Sequence, residues 1–245
     1  MKSFPVLLGC LTLGLASCQS LNHDAWSQVG KGSNELVVSS GWSVYEAKVD
    51  VEGQSGALTG ETGSDSTDLE PNFGMGLRYS HFVTDNWSVG LLLEYRSFDA
   101  DPVMPIAAEL DADDYESTHI ILANRWYGSP FGEEDRWRPV AGIDVGFIPE
   151  IELDATVNYG PGLSEEISVE GDSYWTVGAL LGLTCLLTDN MAASFGIFYE
   201  FPLDSSDDSV VLNVPVPGVG IVPSQLDAEV YPDGFIGFVG LSYYF

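Results

Sequence analysis

The sequence predicts an all-β protein, an eight-stranded antiparallel barrel wound as an up-and-down meander, on three observations. Eight segments alternate large apolar residues with small or polar ones, a period of two that sets successive side chains on opposite faces of a strand. No helical pattern separates them, so sequence neighbours must pair antiparallel. The connections alternate in length: long ones follow the first, third, fifth and seventh segments, and short ones follow the others. In a meander this puts every long connection at one end and every short turn at the other.

The first strand is ELVVSSGWSVYEAKV (35–49). The polar stretch 50–70 leads to the second, NFGMGLRYSHF (72–82), which sets Phe73, Met75, Leu77 and Tyr79 against Asn72, Gly74, Gly76, Arg78 and Ser80. VTDN (83–86) turns directly into the third, WSVGLLLEYRSF (87–98), with Trp87, Val89, Leu91, Leu93 and Tyr95 on one face and Ser88, Gly90, Leu92, Glu94, Arg96 and Phe98 on the other. Asp and Asn suit such turns because their side chains bond nearby backbone and tolerate left-handed conformations. The connection 99–116 leads to the fourth strand, YESTHIILANRWY (115–127), and GSPFGEEDR to the fifth, WRPVAGIDVGFI (137–148). After the connection 149–172 comes the sixth, SYWTVGALLGLTCLL (173–187), and a second TDN turn (188–190) opens the seventh, MAASFGIFYEF (191–201). The connection 202–233 leads to the last, GFIGFVGLSYYF (234–245).

Charge follows the same division. The chain of 245 residues carries 37 acidic and 8 basic residues, a formal net charge of -29. The four long connections hold six, seven, seven and six of the acidic residues, 26 of the 37, and no Lys or Arg, so one end is an anionic crown. Arg78, Arg96, Arg125, Arg136 and Arg138 lie in strands or near the other end. Nucleic acid is excluded as a partner, since phosphate binding depends on Lys and Arg. Divalent cations are the partners such a charge attracts, and DADD (111–114) is the densest cluster. No Asp-x-Asp-x-Asp-Gly loop is present, and a solvated charge run competes with a metal site. No resident metal or cofactor is expected.

The alternation leaves two ways to wrap the sheet. In a lipocalin-like soluble barrel the large apolar face surrounds a ligand; in a membrane barrel it meets lipid, with Trp and Tyr at the interfaces and the small polar face filling a narrow lumen. Strands of about ten residues or more are long enough for a tilted span. The glycines on the small face suit a cramped interior, whereas on a water-facing surface they only weaken a strand. The membrane barrel is therefore the preferred reading. Helical spans are excluded, because no run of eighteen apolar residues follows the signal-like start.

The stretches FVTDNWSVGLLLEYRSF, WRPVAGIDVGF and the terminal GLSYYF resemble the small bacterial outer-membrane barrels related to OmpA and OmpW. A terminal Phe preceded by alternating apolar residues is the assembly signal of that class, read by the barrel-assembly machinery, and Val239, Leu241, Tyr243 and Phe245 match it. The resemblance implies the outer membrane as the location, with its lipid and lipopolysaccharide as partners, and OmpW-like members imply passage of small molecules as an alternative role. The start, Lys2 followed by an apolar run and then Leu15, Ala16, Ser17 and Cys18, resembles a lipoprotein signal and implies an acylated Cys18. The expected organisation is a signal peptide over 1–17, a periplasmic tether over 18–34 and the barrel over 35–245.

Two constellations carry chemistry. Arg78, Glu94, Arg96, Asp144 and Glu200 share the inward face and are expected to form a charge network that plugs the lumen, because unpaired charges there are costly. Ser117 and His119 share a face of the fourth strand near Glu116 and several Asp, the residue types of a nucleophile, a base and an orienting carboxylate. A single Ser-x-His pair is a weak signature, so no enzyme activity is expected and the role is structural or surface interaction. His23 and His81 have no evident partner. Cys10 leaves with the signal, and Cys185 is expected to be a free thiol in an apolar strand.

Overall fold

The computed structural model describes residues 26, 29–100, 102, 104, 109–149, 151–160 and 163–245. The signal segment with Cys10, together with Cys18 and His23, lies outside them. Eleven strands follow one another: β1 (Asn34–Gly53), β2 (Thr62–Thr84), β3 (Trp87–Ala100), β4 (Glu109–Tyr127), β5 (Trp137–Ile148), β6 (Ile151–Gly160), β7 (Leu163–Gly171), β8 (Tyr174–Thr188), β9 (Met191–Pro202), β10 (Ser206–Val216) and β11 (Gly220–Tyr244). Eight of them, β1, β2, β3, β4, β5, β8, β9 and β11, close an antiparallel ring in chain order. This is the predicted eight-stranded meander.

The register fixes how narrow the barrel is. One inward row runs Glu35, Ser80, Gly90, Ala123, Asp144, Gly178, Glu200, Gly234 and returns to β1 at Tyr45. It comes back ten residues from where it left, so the strands tilt and the interior is only wide enough for side chains to fill. Gly182 and Gly196 oppose each other where β8 and β9 approach, and a Cβ on Gly182 would stand 2.6 Å from the Phe195 carbonyl. That close approach requires glycine.

The outward face carries a continuous apolar belt. Leu36, Val38, Trp42 and Val44 of β1 are exposed on it, as are Leu77, Leu91, Leu122, Ile143, Leu181, Ile197 and Leu241 around the ring. Aromatic pairs mark its rims, with Phe147 and Trp175 centred 5.0 Å apart and Tyr199 and Phe235 4.6 Å apart at the long-connection end, and Tyr243 and Phe245 at the other. An exposed apolar girdle of this extent belongs in lipid, and interfacial aromatics belong at its edges. The arrangement is the reverse of the lipocalin-like one.

The long connections correct one expectation. Stretches 50–70, 99–116, 149–172 and 202–233 read as loops, yet they are mostly strand. β1 and β2 stay paired as far as Glu52 and Thr62; the upper half of β4 leaves β5 and pairs with β6; β6 and β7 form a hairpin, as do β10 and the upper part of β11. They make a second storey above the belt. On β1 the polarity inverts there: Glu46, Lys48, Asp50 and Glu52 point outward, while Ala47, Val49 and Val51 point inward. Val49 and Val51 pack with Val157, Leu212 and Leu226 in an apolar cluster separate from the one below. The strand therefore meets lipid along one stretch and water along the next.

The storey is clamped where β7 and β10 face each other without a ladder. Glu165 accepts from the Asn213 amide N–H at 2.8 Å and from its side chain at 2.5 Å, and the Tyr159 hydroxyl donates to it at 3.3 Å. Burial and the Glu165 carboxylate push the Tyr159 phenol up to about 12.

Outside, like charges stand directly opposite one another: Glu46 lies between Asp68 and Asp233, Asp50 opposite Glu229, and Glu52 opposite Asp227. Such pairs destabilise a sheet, and Lys48, which donates to Asp50 at 2.5 Å, relieves only part of this. Raising ionic strength from about 0.01 M to about 0.15 M is therefore expected to slow proteolysis of the second storey, because screening shortens from about 30 Å to about 8 Å. A digestion rate independent of salt would refute this.

Candidate functional site

The lumen of the membrane ring is the candidate site, and its side chains lie in layers. At the short-turn mouth Phe82, Tyr127, Leu186, Ala192 and Tyr244 pack together with Trp26 and Val29 from the segment ahead of β1. The expected tether over 18–34 thus sends two apolar side chains into the barrel. Phe82 and the segment exchange backbone bonds of 2.9 Å through Gly32 and Ser33, and Asp85 accepts from the Lys31 amide at 2.9 Å. Trp26 meets Tyr244 edge-on at 6.4 Å, and the Arg138 guanidinium lies 5.1 Å from the Trp26 ring and 5.4 Å from the Tyr127 ring.

Two ion pairs sit above this mouth. Arg78 donates to Glu35 at 2.8 Å, and the Tyr127 hydroxyl donates to the same carboxylate at 3.3 Å. Arg125 grips Asp144 through both terminal nitrogens, with Nη2 to Oδ2 at 2.7 Å. The guanidinium lies over Gly142, where a Cβ would come within 2.6 Å of Nη1. Glycine there makes room for the pair.

Higher in the lumen, Arg96 binds three groups at once. It donates to Glu94 at 2.7 Å, to Glu200, and to the Tyr45 hydroxyl at 2.7 Å. Tyr45 and Thr176 each donate to Glu200 at 2.7 Å. Above this layer come apolar side chains again, among them Ala47, Leu69, Phe98, Ile148 and Tyr174.

All five residues singled out from the sequence face the lumen. Glu94, Arg96 and Glu200 meet one another, whereas Arg78 and Asp144 pair with Glu35 and Arg125, which the sequence reading left out of the network. Three guanidinium groups, Arg78, Arg96 and Arg125, are thus paired with four carboxylates, Glu35, Glu94, Glu200 and Asp144, while Arg138 at the mouth donates to the Gly128 carbonyl at 3.1 Å and to Asn86 Oδ1 at 2.8 Å.

A cavity of about 70 Å³ lies between the charged layers, bordered by Arg78, Glu94, Arg125 and Asp144 on its polar side and Leu92, Ile121 and Phe198 on its apolar side. The Nε atoms of Arg78 and Arg125, two of the residues that border it, have no protein partner. Buried polar atoms beside a cavity of this size are served by ordered water.

Ser117 and His119 are both buried in the upper lumen, with Ser117 Oγ 2.9 Å from His119 Nε2 and His119 Nδ1 3.6 Å from Glu200 Oε1. The order is that of a catalytic triad, but 3.6 Å is too long for a hydrogen bond, and the Glu200 oxygens are held by Arg96, Tyr45 and Thr176. The adjoining cavity of about 10 Å³ has space for one water. The arrangement lacks room for a substrate beside the hydroxyl.

The remaining expectations find their places. Val239, Leu241 and Tyr243 lie on the outward face of β11, and Phe245, one residue beyond it, exchanges backbone bonds of 2.8 and 3.0 Å with Asn34 and so extends the seam with β1. His81 at the short-turn end is 3.0 Å from Asn34 Oδ1, and Cys185 is a buried thiol whose Sγ lies 3.7 Å from the Leu186 carbonyl. Segment 111–114 falls on the upper part of β4. Among the described residues no three His, Cys, Asp or Glu side chains converge as metal ligands.

No protein-family model matches the sequence, and comparison with curated proteins gives no match. Among solved structures the chain is similar to the outer membrane protein OprG from Pseudomonas aeruginosa, at 17% identity over 89% of this chain and 98% of that one, with a TM-score of 0.52. It is likewise similar to the outer membrane protein AlkL determined in DMPC lipid bilayers, at 16% identity over 93% of this chain and 94% of that one, with a TM-score of 0.51. With the closed ring, the apolar belt and the filled lumen, these likenesses establish that the chain has the fold of the small eight-stranded outer-membrane β-barrels.

Proposed function

We propose that the protein resides in the bacterial outer membrane as a barrel with a closed lumen. Its role is structural or directed at surface partners through the acidic second storey, and it performs no catalysis. One observation carries this reading: Arg78, Arg96 and Arg125 are ion-paired inside the barrel with Glu35, Glu94, Glu200 and Asp144, with apolar layers above and below. Charges so paired rigidify a plug, whereas a conducting path needs polar groups that can exchange partners with passing solute. Lipid and lipopolysaccharide surround the belt, the assembly machinery reads the β11 terminus, and acylation of Cys18 adds a second anchor.

Cell fractionation followed by a boiled-versus-unboiled gel tests location and barrel together. Recovery in the outer membrane with a mobility shift on boiling is expected; recovery as a soluble periplasmic protein would sink the proposal. In planar bilayers the purified protein is expected to give no steady unitary openings. The cavity of about 70 Å³ favours a second reading, a narrow transporter of small molecules, and discrete openings or reduced solute uptake in a deletion strain would select it.

A further inference from the structure

Between Asp208 and Asp227 the chain runs eighteen residues, SVVLNVPVPGVGIVPSQL (209–226), without a charge, in a protein with 37 acidic residues. The run is the outer part of the β10–β11 hairpin. Part of it is accounted for, since Val210, Leu212, Val214 and Leu226 pack in the second-storey cluster. The tip is not: Val219 is 74% exposed and Ile221 72%, with Pro217 and Pro223 exposed beside them. From Asp233 at the belt rim to Gly220, a tilted strand rises on the order of 30 Å, so the tip stands clear of the molecule's own bilayer.

We propose that this hairpin tip is a contact element that inserts into an apposed membrane of neutral or zwitterionic lipid. The inference rests on the reading of the second storey as extracellular.

The backbone is already prepared for an apolar phase. β10 and β11 pair without interruption from Ser206 and Val230 to Val216 and Gly220, and the Val219 N–H donates to the Val216 carbonyl at 3.1 Å to close the turn. Gly218 and Gly220 take φ of 79° and 110°, values a side chain would resist, which lets the turn be this tight. Pro215 and Pro223 on the two strands and Pro217 in the turn carry no N–H, so three backbone donors are absent from the tip. Entry into hydrocarbon favours segments whose backbone groups are satisfied within the segment or absent, and the ladder, the turn bond and the three prolines all lower the number left over.

Charge selects the surface. Asp207, Asp208, Asp227 and Glu229 stand at the hairpin base on a chain of net charge -29. A second copy of the protein and an anionic bilayer are both repelled, while a neutral headgroup layer is not. The exposed tip side chains are aliphatic and carry no polar groups, which suits a fluid apolar layer and offers nothing for a protein pocket to orient.

The test uses the full-length protein in nanodiscs, mixed with phosphatidylcholine vesicles and floated on a density gradient. Co-flotation is expected, and Val219→Asp with Ile221→Asp is expected to reduce the bound fraction about tenfold or more, because two buried aliphatic groups are lost. Both positions are exposed, so the variant should keep its gel shift on boiling. Vesicles with about a third phosphatidylglycerol should bind less at low salt and recover as salt rises. Wild-type protein left at the bottom, an Asp variant that floats unchanged, or pairing of nanodiscs without vesicles would each overturn the tip assignment. Loss of the gel shift, or protection of a Val219→Cys thiol from an impermeant maleimide on intact cells, would instead overturn the reading beneath it.

Discussion

Replacing Arg125 with Leu is expected to cost about 3–5 kcal/mol of barrel stability, and Asp144→Leu alone about as much, because either change strands the partner's buried charge without its counter-ion. The double variant is expected to recover most of that loss. Arg125 and Asp144 bind through two contacts, sit on neighbouring strands, and share the space over Gly142, so apolar side chains of similar volume can occupy the same layer. Urea unfolding in lipid vesicles, followed by the gel shift, measures all three on one scale. If the double variant were as unstable as the sum of the singles, the coupling energy between the two side chains would be zero and neither would be cancelling the other's burial penalty. The paired-plug explanation would then fail.

The Arg96 centre should behave differently. Arg96 serves two carboxylates and a phenol that come from β1, β3 and β9, so no exchange of one pair can neutralise it. This is why the two layers, although both built from buried ions, differ in what repairs them.

Much of this was legible before any coordinates. Strict alternation in WSVGLLLEYRSF and MAASFGIFYEF sorted lipid-facing from lumen-facing residues, because a period of two survives whatever the barrel curvature does. The same rule applied to HIILANRWY puts Arg125 on the face of His119 and Tyr127, and applied to ELVVSS puts Glu35 with Val37. Those partners of Asp144 and Arg78 were within reach of the sequence. Which inward charges meet was not, since pairing depends on a ten-residue stagger around the ring that no single strand encodes. The second storey escaped for a different reason. ELDADDY and IELDATVN alternate acidic with uncharged residues for much of their length, and acidic residues at that density read as a loop when lipid is taken as the only solvent. Trp26 lies in a segment with no periodicity at all, so its insertion into the mouth had no local signal.

The inversion of polarity along a strand makes the most demanding prediction. Leu181 on β8 is 63% exposed and Leu226 on β11 is 9% exposed, so surface area alone ranks Leu226→Arg as the damaging change and Leu181→Arg as harmless. Location reverses the consequence. Leu181 lies in the middle of the apolar belt between Ala141 and Ile197, where an arginine faces hydrocarbon, and Leu181→Arg is expected to lower the stability of the whole barrel by about 2–4 kcal/mol. Leu226 faces Val210 within the separate upper cluster, and an arginine there leaves an unpaired charge that the second storey can relieve by opening locally. Refolding into lipid vesicles separates the two. Leu181→Arg should lose gel-shifted protein at lower urea, whereas Leu226→Arg should keep its shift yet expose segments 50–70 and 202–233 to proteinase K. The reverse pattern would mean that the girdle is not a lipid surface, for only lipid makes an exposed leucine harder to replace with a charge than a buried one.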